Sequence, residues 1–227
     1  DEDKLIYLAN KYFLGLKGNS ANPNIANSIP KFNRGFSYKN KKIDQIQFAI
    51  AFEGYAQQDI DVYKLLIISN ILGGGMSSRL FQKIREELGL VYAVNSFIST
   101  YKDVGTFIIY AGMNPKNLPL VYDQILNQLK LIKDGNISVD EFNVAKQQIK
   151  GNIIFGLENT SSRMSNIGKN ILLLNKVLDL QQITNIIDSI TFEEVLCVAQ
   201  SIFSKEFSVA FVGPKKDVDL SIFEKRS

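Results

Sequence analysis

Arg85 and Tyr92 stand seven residues apart at the end of Gly73-Gly74-Gly75-Met76-Ser77-Ser78-Arg79-Leu80-Phe81-Gln82-Lys83-Ile84-Arg85-Glu86-Glu87-Leu88-Gly89-Leu90-Val91-Tyr92. The stretch reads as a glycine turn, a short amphipathic helix over Arg79 to Leu88 and a second turn that opens a strand. A guanidinium and a phenol both donate hydrogen bonds, so such a helix-to-strand corner can present two donors to the carbonyl oxygens of one ligand. Arg is a rigid, permanently charged fork, and Tyr is a rigid donor that loses little rotamer freedom on binding. Donors of this kind suit a peptide carbonyl that becomes an oxyanion. The spacing by itself fits equally well a surface helix on which Arg85 pairs with a neighbouring acid, with Tyr92 packed at a strand end.

Histidine is absent from all 227 residues. That excludes Ser-His-Asp and Cys-His catalysis and any zinc site with imidazole ligands. Cys197 is the single cysteine, which rules out an internal disulfide and a cysteine-rich zinc site. Its setting in Glu194-Val195-Leu196-Cys197-Val198-Ala199 reads as a small buried apolar residue. The acidic pairs Glu86-Glu87 and Glu193-Glu194 point in different directions on helices, and Asp217 with Asp219 adds no calcium-loop pattern. The run Gly73-Gly74-Gly75 follows a helix and leads into Met-Ser-Ser-Arg, whereas a phosphate-binding loop follows a strand and ends in Gly-Lys-Ser/Thr. A hinge or a close backbone approach is the better reading of those glycines.

The net charge of +3 comes from 26 basic and 23 acidic residues spread along the chain, and the longest basic cluster, Lys39-Asn40-Lys41-Lys42, reads as a solvated turn. A nucleic-acid partner is therefore not expected. No apolar run approaches the ~20 residues that span a bilayer. With 45% apolar and 22% charged residues, the composition is that of an ordinary globular chain with a sizeable core.

The elements that must position the corner follow from periodicity. Residues 3 to 15 read as a helix with Leu5, Leu8, Tyr12 and Phe13 on one face, and residues 17 to 34 as a linker rich in Gly, Asn, Ser and Pro. Two strands then flank the basic turn, and the second alternates Ile46, Phe48, Ile50 and Phe52 against Gln47, Ala49, Ala51 and Glu53. A helix from Asp59 or Asp61 ends at the glycine run, and Ser77 or Ser78 is placed to cap the next one, which Gly89 stops. Val91 to Ser99 and Thr106 to Gly112 read as an antiparallel hairpin. Helices follow, two of them opened by the capping boxes Ser138/Glu141 and Thr191/Glu194, and the last strand is Phe207 to Val212. This order gives an α+β fold, a single mixed and largely antiparallel sheet flanked by helices. Its division is a trailing helix and linker over 1–34 and one domain over 35–227.

Five segments, in this order, resemble the pitrilysin, insulinase and mitochondrial processing peptidase group of zinc metallopeptidases. They are Gly73 to Phe81, Arg85-Glu86-Glu87-Leu88-Gly89-Leu90-Val91-Tyr92, Asp103-Val104-Gly105-Thr106-Phe107 leading into Tyr110-Ala111-Gly112, Leu157-Glu158-Asn159-Thr160-Ser161-Ser162-Arg163-Met164, and Val209-Ala210-Phe211-Val212-Gly213-Pro214. The likeness is to the second, non-zinc half of the smaller members and covers nearly the whole chain. It implies a processing-peptidase-like half in which Arg85 and Tyr92 reach the substrate backbone near a zinc ion held elsewhere. It also implies a substrate-handling role for Gly73, Gly74 and Gly75, in a glycine loop shorter than the family's.

In that family the first half carries His-x-x-Glu-His, whose two His bind zinc and whose Glu activates water. Here the matching helix has Asp61-Val62-Tyr63-Lys64-Leu65-Leu66, so no catalytic residue and no bound cofactor are expected in this chain, and zinc is expected in a missing N-terminal half. The start at Asp1 is consistent with a first half having been left out. The resemblance thus implies the C-terminal substrate-binding half of a zinc metalloendopeptidase, inactive alone. Its partners would be a zinc-binding half on the same polypeptide or on another subunit, a peptide substrate and, as a further option, a second copy in a homodimer. The alternative is a noncatalytic assembly or substrate-presenting subunit of the same fold.

Overall fold

Ile46, Phe48, Ile50 and Phe52 are all buried, and the residues between them are not, so the alternation read from the sequence is the alternation of a strand with one face in the core. The computed structural model describes residues 1–16 and 30–214. Most of the expected linker, and the pair Asp217 and Asp219, therefore lie outside the described residues. The chain divides into two compact units, Asp1–Pro30 and Lys31–Ser227. The first contains helix α1 (Glu2–Phe13), capped by the Asp1 carboxylate accepting from the Lys4 N–H, with none of its residues buried.

The second unit runs β1 (Phe36–Asn40), β2 (Ile46–Glu53), α2 (Asp61–Gly73), a π-helix (Phe81–Glu87), β3 (Val91–Thr100), β4 (Gly105–Met113) and a 3₁₀ turn (Pro115–Asn117). It continues through α3 (Leu118–Lys133), α4 (Val139–Gly156), α5 (Thr160–Leu174), α6 (Leu180–Ser189) and α7 (Phe192–Phe203) to β5 (Phe207–Gly213). The strands form one mixed sheet in the order β1-β5-β2-β4-β3. The β3–β4 hairpin forms as expected, closed by the Tyr101 N–H donating to the Val104 carbonyl at 2.8 Å. The two strands beside the basic turn do not pair with each other. β5 lies between them, aligning Phe211 with Tyr38 of β1 in parallel and with Phe48 of β2 in antiparallel register.

Helices α2, α3 and α7 cover the apolar sheet face. Phe48 meets Tyr122 of α3 edge-on at 5.9 Å, and Phe52 and Phe107 each meet Phe203 of α7 at 5.4 Å. Such edge-on pairs add about 0.5–1.5 kcal/mol each beyond the area they bury. Leu65, Ile68 and Leu72 bring α2 onto the same core, and Ser69 and Ser96 satisfy each other where α2 crosses β3. Gly73 is required by that crossing, since a side chain there would collide with the Asn95–Ser96 backbone. Both expected capping boxes are present, opening α4 and α7. Cys197 corrects the sequence reading: it is exposed, because the apolar stripe of α7 runs through Val195, Val198, Ala199 and Ile202 and leaves position 197 on the outer side.

Candidate functional site

Ile84 in the π-helix and Val91 at the start of β3 are buried, and the residue after each, Arg85 and Tyr92, is exposed; Tyr92 keeps 58% of its surface open. Two apolar anchors thus fix the corner while the donors next to them face outward. The helix differs from the α-helix expected over Arg79 to Leu88. It is wound as a π-helix over Phe81–Glu87, with the Leu88 N–H donating to the Lys83 carbonyl five residues back at 3.2 Å. Neither Ser77 nor Ser78 caps it, and the Ser78 hydroxyl instead donates to the Gly75 carbonyl at 2.5 Å.

Gly89, at φ +62°, turns the chain out of this helix in a conformation that costs other L-residues about 1–2 kcal/mol. The Leu90 N–H then donates back to the Ile84 carbonyl at 3.0 Å, and the Asn117 side-chain amide donates to the Leu90 carbonyl at 2.8 Å. Tyr92 is the extra residue of a β-bulge, since Val91 lies opposite Met113 while Ala93 lies opposite Gly112. π-Turns and bulges are both geometries that re-aim side chains and cluster at functional sites. Here one of each flanks a single turn.

Arg85 stacks its guanidinium over the Phe81 ring at 4.8 Å, and the nearby Glu87 pairs with Lys83 instead. The ring holds the cation by its negative face without occupying the guanidinium's in-plane donors. The glycine run splits by role. Gly73 and Gly74 are set by contacts with the Asn95–Ser96 backbone and with Asn70, whereas Gly75 has open space around it.

The helix segment Asp61 to Leu66 does not fit a metal ion. Lys64 donates to Asp61 at 2.8 Å and to Glu194 at 3.1 Å, and the hydrogen bond to Asp61 leads in holding its ammonium charged above the usual lysine range. A cation at those carboxylates would meet a fixed positive charge. Among the described residues no three of Cys, Asp and Glu come together as a ligand set.

One feature escaped the sequence reading altogether. A cleft of about 420 Å³ opens between α2, α4 and α5, with Gln57, Tyr63, Asn166 and Asn170 among its polar lining and Leu66 and Ile153 among its apolar walls. The signal for it lay in α5, whose Ser162, Asn166 and Asn170 recur at helical spacing opposite Met164, Ile167 and Ile171.

The family described as the Peptidase M16 inactive domain matches residues 1–149. The chain belongs to that family. An uncharacterized zinc protease of Rickettsia felis is 34% identical over 216 residues, covering 94% of this chain and 51% of the relative. The uncharacterized zinc protease YmxG of Bacillus subtilis is 35% identical over 185 residues, covering 82% of this chain and 45% of the relative. The chain therefore spans about half the length of the curated relatives it matches.

Solved structures share the fold. A protease from Helicobacter pylori superposes with a TM-score of 0.81 at 23% identity, over 94% of this chain and 53% of that one. A peptidase M16 inactive domain from Pseudomonas fluorescens gives 0.72 at 18% identity, over 82% and 45%. A chain of the Candida albicans Complex III2 gives 0.84 at 20% identity, over 100% and 56%. The expected fold is thus the observed one: a mixed sheet with helices, shared with M16 inactive-domain structures and built on a chain whose relatives are named zinc proteases.

Proposed function

We propose that this M16 inactive domain is the C-terminal substrate-binding half of a zinc-dependent metalloendopeptidase that cleaves peptides or presequence-like segments. The zinc and its general base reside on an N-terminal half, on the same polypeptide or a partner subunit. The observation that carries the reading is the outward display of Arg85 and Tyr92 by a π-helix and a bulge whose adjacent residues, Ile84 and Val91, are buried. Arg85 anchors a substrate carbonyl through its fork, and Tyr92 donates to the carbonyl oxygen that becomes an oxyanion. Gly75, the one glycine of the run with open space, leaves the backbone there approachable by a peptide.

In this reading the half contributes binding and charge stabilisation. The test uses the complete polypeptide with its zinc-bearing half, assayed on a quenched fluorescent peptide. Tyr92→Phe lowers kcat by about 10²–10³, the range for losing one oxyanion donor, and Arg85→Ala lowers kcat/KM by about 10–10², the loss of one charged hydrogen bond, both with zinc content unchanged. Parental kcat/KM in both variants refutes the roles of these residues. Absence of any hydrolysis by the parental polypeptide with zinc bound points instead to the noncatalytic, substrate-presenting subunit.

A further inference from the structure

Helix α5 is apolar on its outer side and largely polar where it meets the cleft, with Leu174 the apolar exception. Its apolar stripe, Met164, Ile167 and Ile171, is exposed, and none of its 15 residues is buried, while Asn166 and Asn170 are turned onto the body of the domain, where they line the cleft. The side of α5 that meets the domain is therefore set by its amides as well as by Leu174.

The cleft's chemistry is specific. Its floor and walls are apolar, and every polar group on its lining is neutral: the amides of Gln57, Asn166 and Asn170, the Ser162 hydroxyl and the Tyr63 phenol. Among the described residues no charged side chain lines it, which disfavours phosphate, carboxylate and metal ligands. Burial pushes the Tyr63 phenol up from its ordinary value, so it stays a donor. Asn166 and Asn170 are linked by one bond at 3.1 Å from the Asn170 Nδ2 to the Asn166 Oδ1, which leaves each amide further donor and acceptor capacity. The volume lies within the ~300–1,000 Å³ of small ligand sites.

From these features we infer that the cleft between α2, α4 and α5 binds a short extended segment of substrate peptide, with an apolar side chain on the Leu66 and Ile153 walls and main-chain amides on Asn166 and Asn170. A peptide group offers one N–H and one C=O side by side, the complement of a side-chain amide, and an apolar side chain fills the rest. The site shares no lining residue with the Arg85–Tyr92 corner. It deepens the peptide-binding reading proposed above by supplying a second contact on the same domain.

The experiment is a fluorescence-anisotropy titration of acetyl-Ser-Leu-Ala-Leu-Ser-amide, carrying fluorescein, into the chain. Saturable binding is expected, weakened about tenfold or more by the double substitution Asn166→Ala and Asn170→Ala. Alanine favours the helix, so circular dichroism should show α5 retained. Unchanged affinity in the double variant, or no saturable binding to the parent, overturns the inference. The unsubstituted chain gives an independent reading with photo-leucine in place of leucine in the peptide. Cross-links on residues 57–66 or 153–174 support the cleft, and cross-links confined elsewhere overturn it. Neither measurement involves cleavage, so failure here leaves the roles of Arg85 and Tyr92 to their own kinetic test, and failure there leaves the cleft to this one.

Discussion

Arg85 keeps its donors available because the Phe81 ring, and among the described residues no carboxylate, holds its guanidinium. A second arginine a few residues away does the opposite. Arg79 grips Glu141 through Nε at 2.6 Å and a terminal nitrogen at 2.7 Å, and Glu141 also accepts from the Ser138 N–H at 2.8 Å as the reciprocal half of the α4 capping box. The Arg79 hydrogen bond leads in holding the Glu141 carboxyl below the usual carboxylate range. A folded-state value depressed below the unfolded one, about 4.3, contributes stability above that value and loses it as pH falls through the folded value. Glu141→Gln should therefore lower stability at pH 7 by about 1–2 kcal/mol, after allowing for solvent screening of a partly exposed pair. The difference between parent and variant should shrink as the pH falls from the unfolded value through the lower folded one. Urea denaturation at pH 7 and at pH 3 checks both, and a variant difference undiminished at pH 3 would be inconsistent with the linkage. The residue types of the corner were legible in the sequence; which arginine is engaged and which is displayed was not, because Glu86, Glu87 and Glu141 are equally acidic on paper and only packing selects among them.

At the scale of elements, what the sequence revealed is what local chemistry dictates. The period of two in Ile46 to Phe52, the capping boxes at Ser138 and Thr191, and the stop at Gly89 each stem from residues within a few positions of one another, and each is present. The winding of Phe81–Glu87 was hidden, since a π-helix and an α-helix use the same residue types and differ only in which carbonyl each N–H finds. The bulge at Tyr92 was hidden for a related reason: it is a property of β3 against β4, decided by the register of Val91 and Ala93 on Met113 and Gly112. These two irregularities meet at Gly89, whose left-handed backbone joins them. Gly89→Ala meets open space, so its cost is conformational and should be about 1–2 kcal/mol by thermal or urea unfolding. Because the strained residue sits between the anchors of Arg85 and Tyr92, the same substitution in the complete polypeptide should reduce kcat/KM although it removes no substrate contact. Parental stability in Gly89→Ala would mean that the turn relaxes without strain.

At the scale of the whole molecule, the sheet order could not be read from neighbouring residues, because β5 reaches its place between β1 and β2 from the far end of the chain. The class of fold was legible all the same, since hairpin spacing and helical periods survive whatever the order of strands. The core that results needs no ion to hold it: Phe52, Phe107, Phe203 and Phe207 pack ring against ring where β2, β4, β5 and α7 converge. The chain has no histidine, and among the described residues no acidic or cysteine cluster forms a ligand set. Any ligand that binds only the folded state raises its stability, by about 2.7 kcal/mol at one hundred times the dissociation constant. For a domain of this size that amounts to a rise in Tm of about 5–10 °C, at about 2–4 °C per kcal/mol. Zinc in micromolar excess should therefore leave the Tm of this chain within about 1 °C of its value in EDTA. For the complete polypeptide, the proposed division of labour predicts a zinc-dependent rise confined to the transition of the other half. A zinc-dependent rise of several degrees in this chain alone, by differential scanning calorimetry, would place a metal site in it and overturn the assignment of zinc to the N-terminal half.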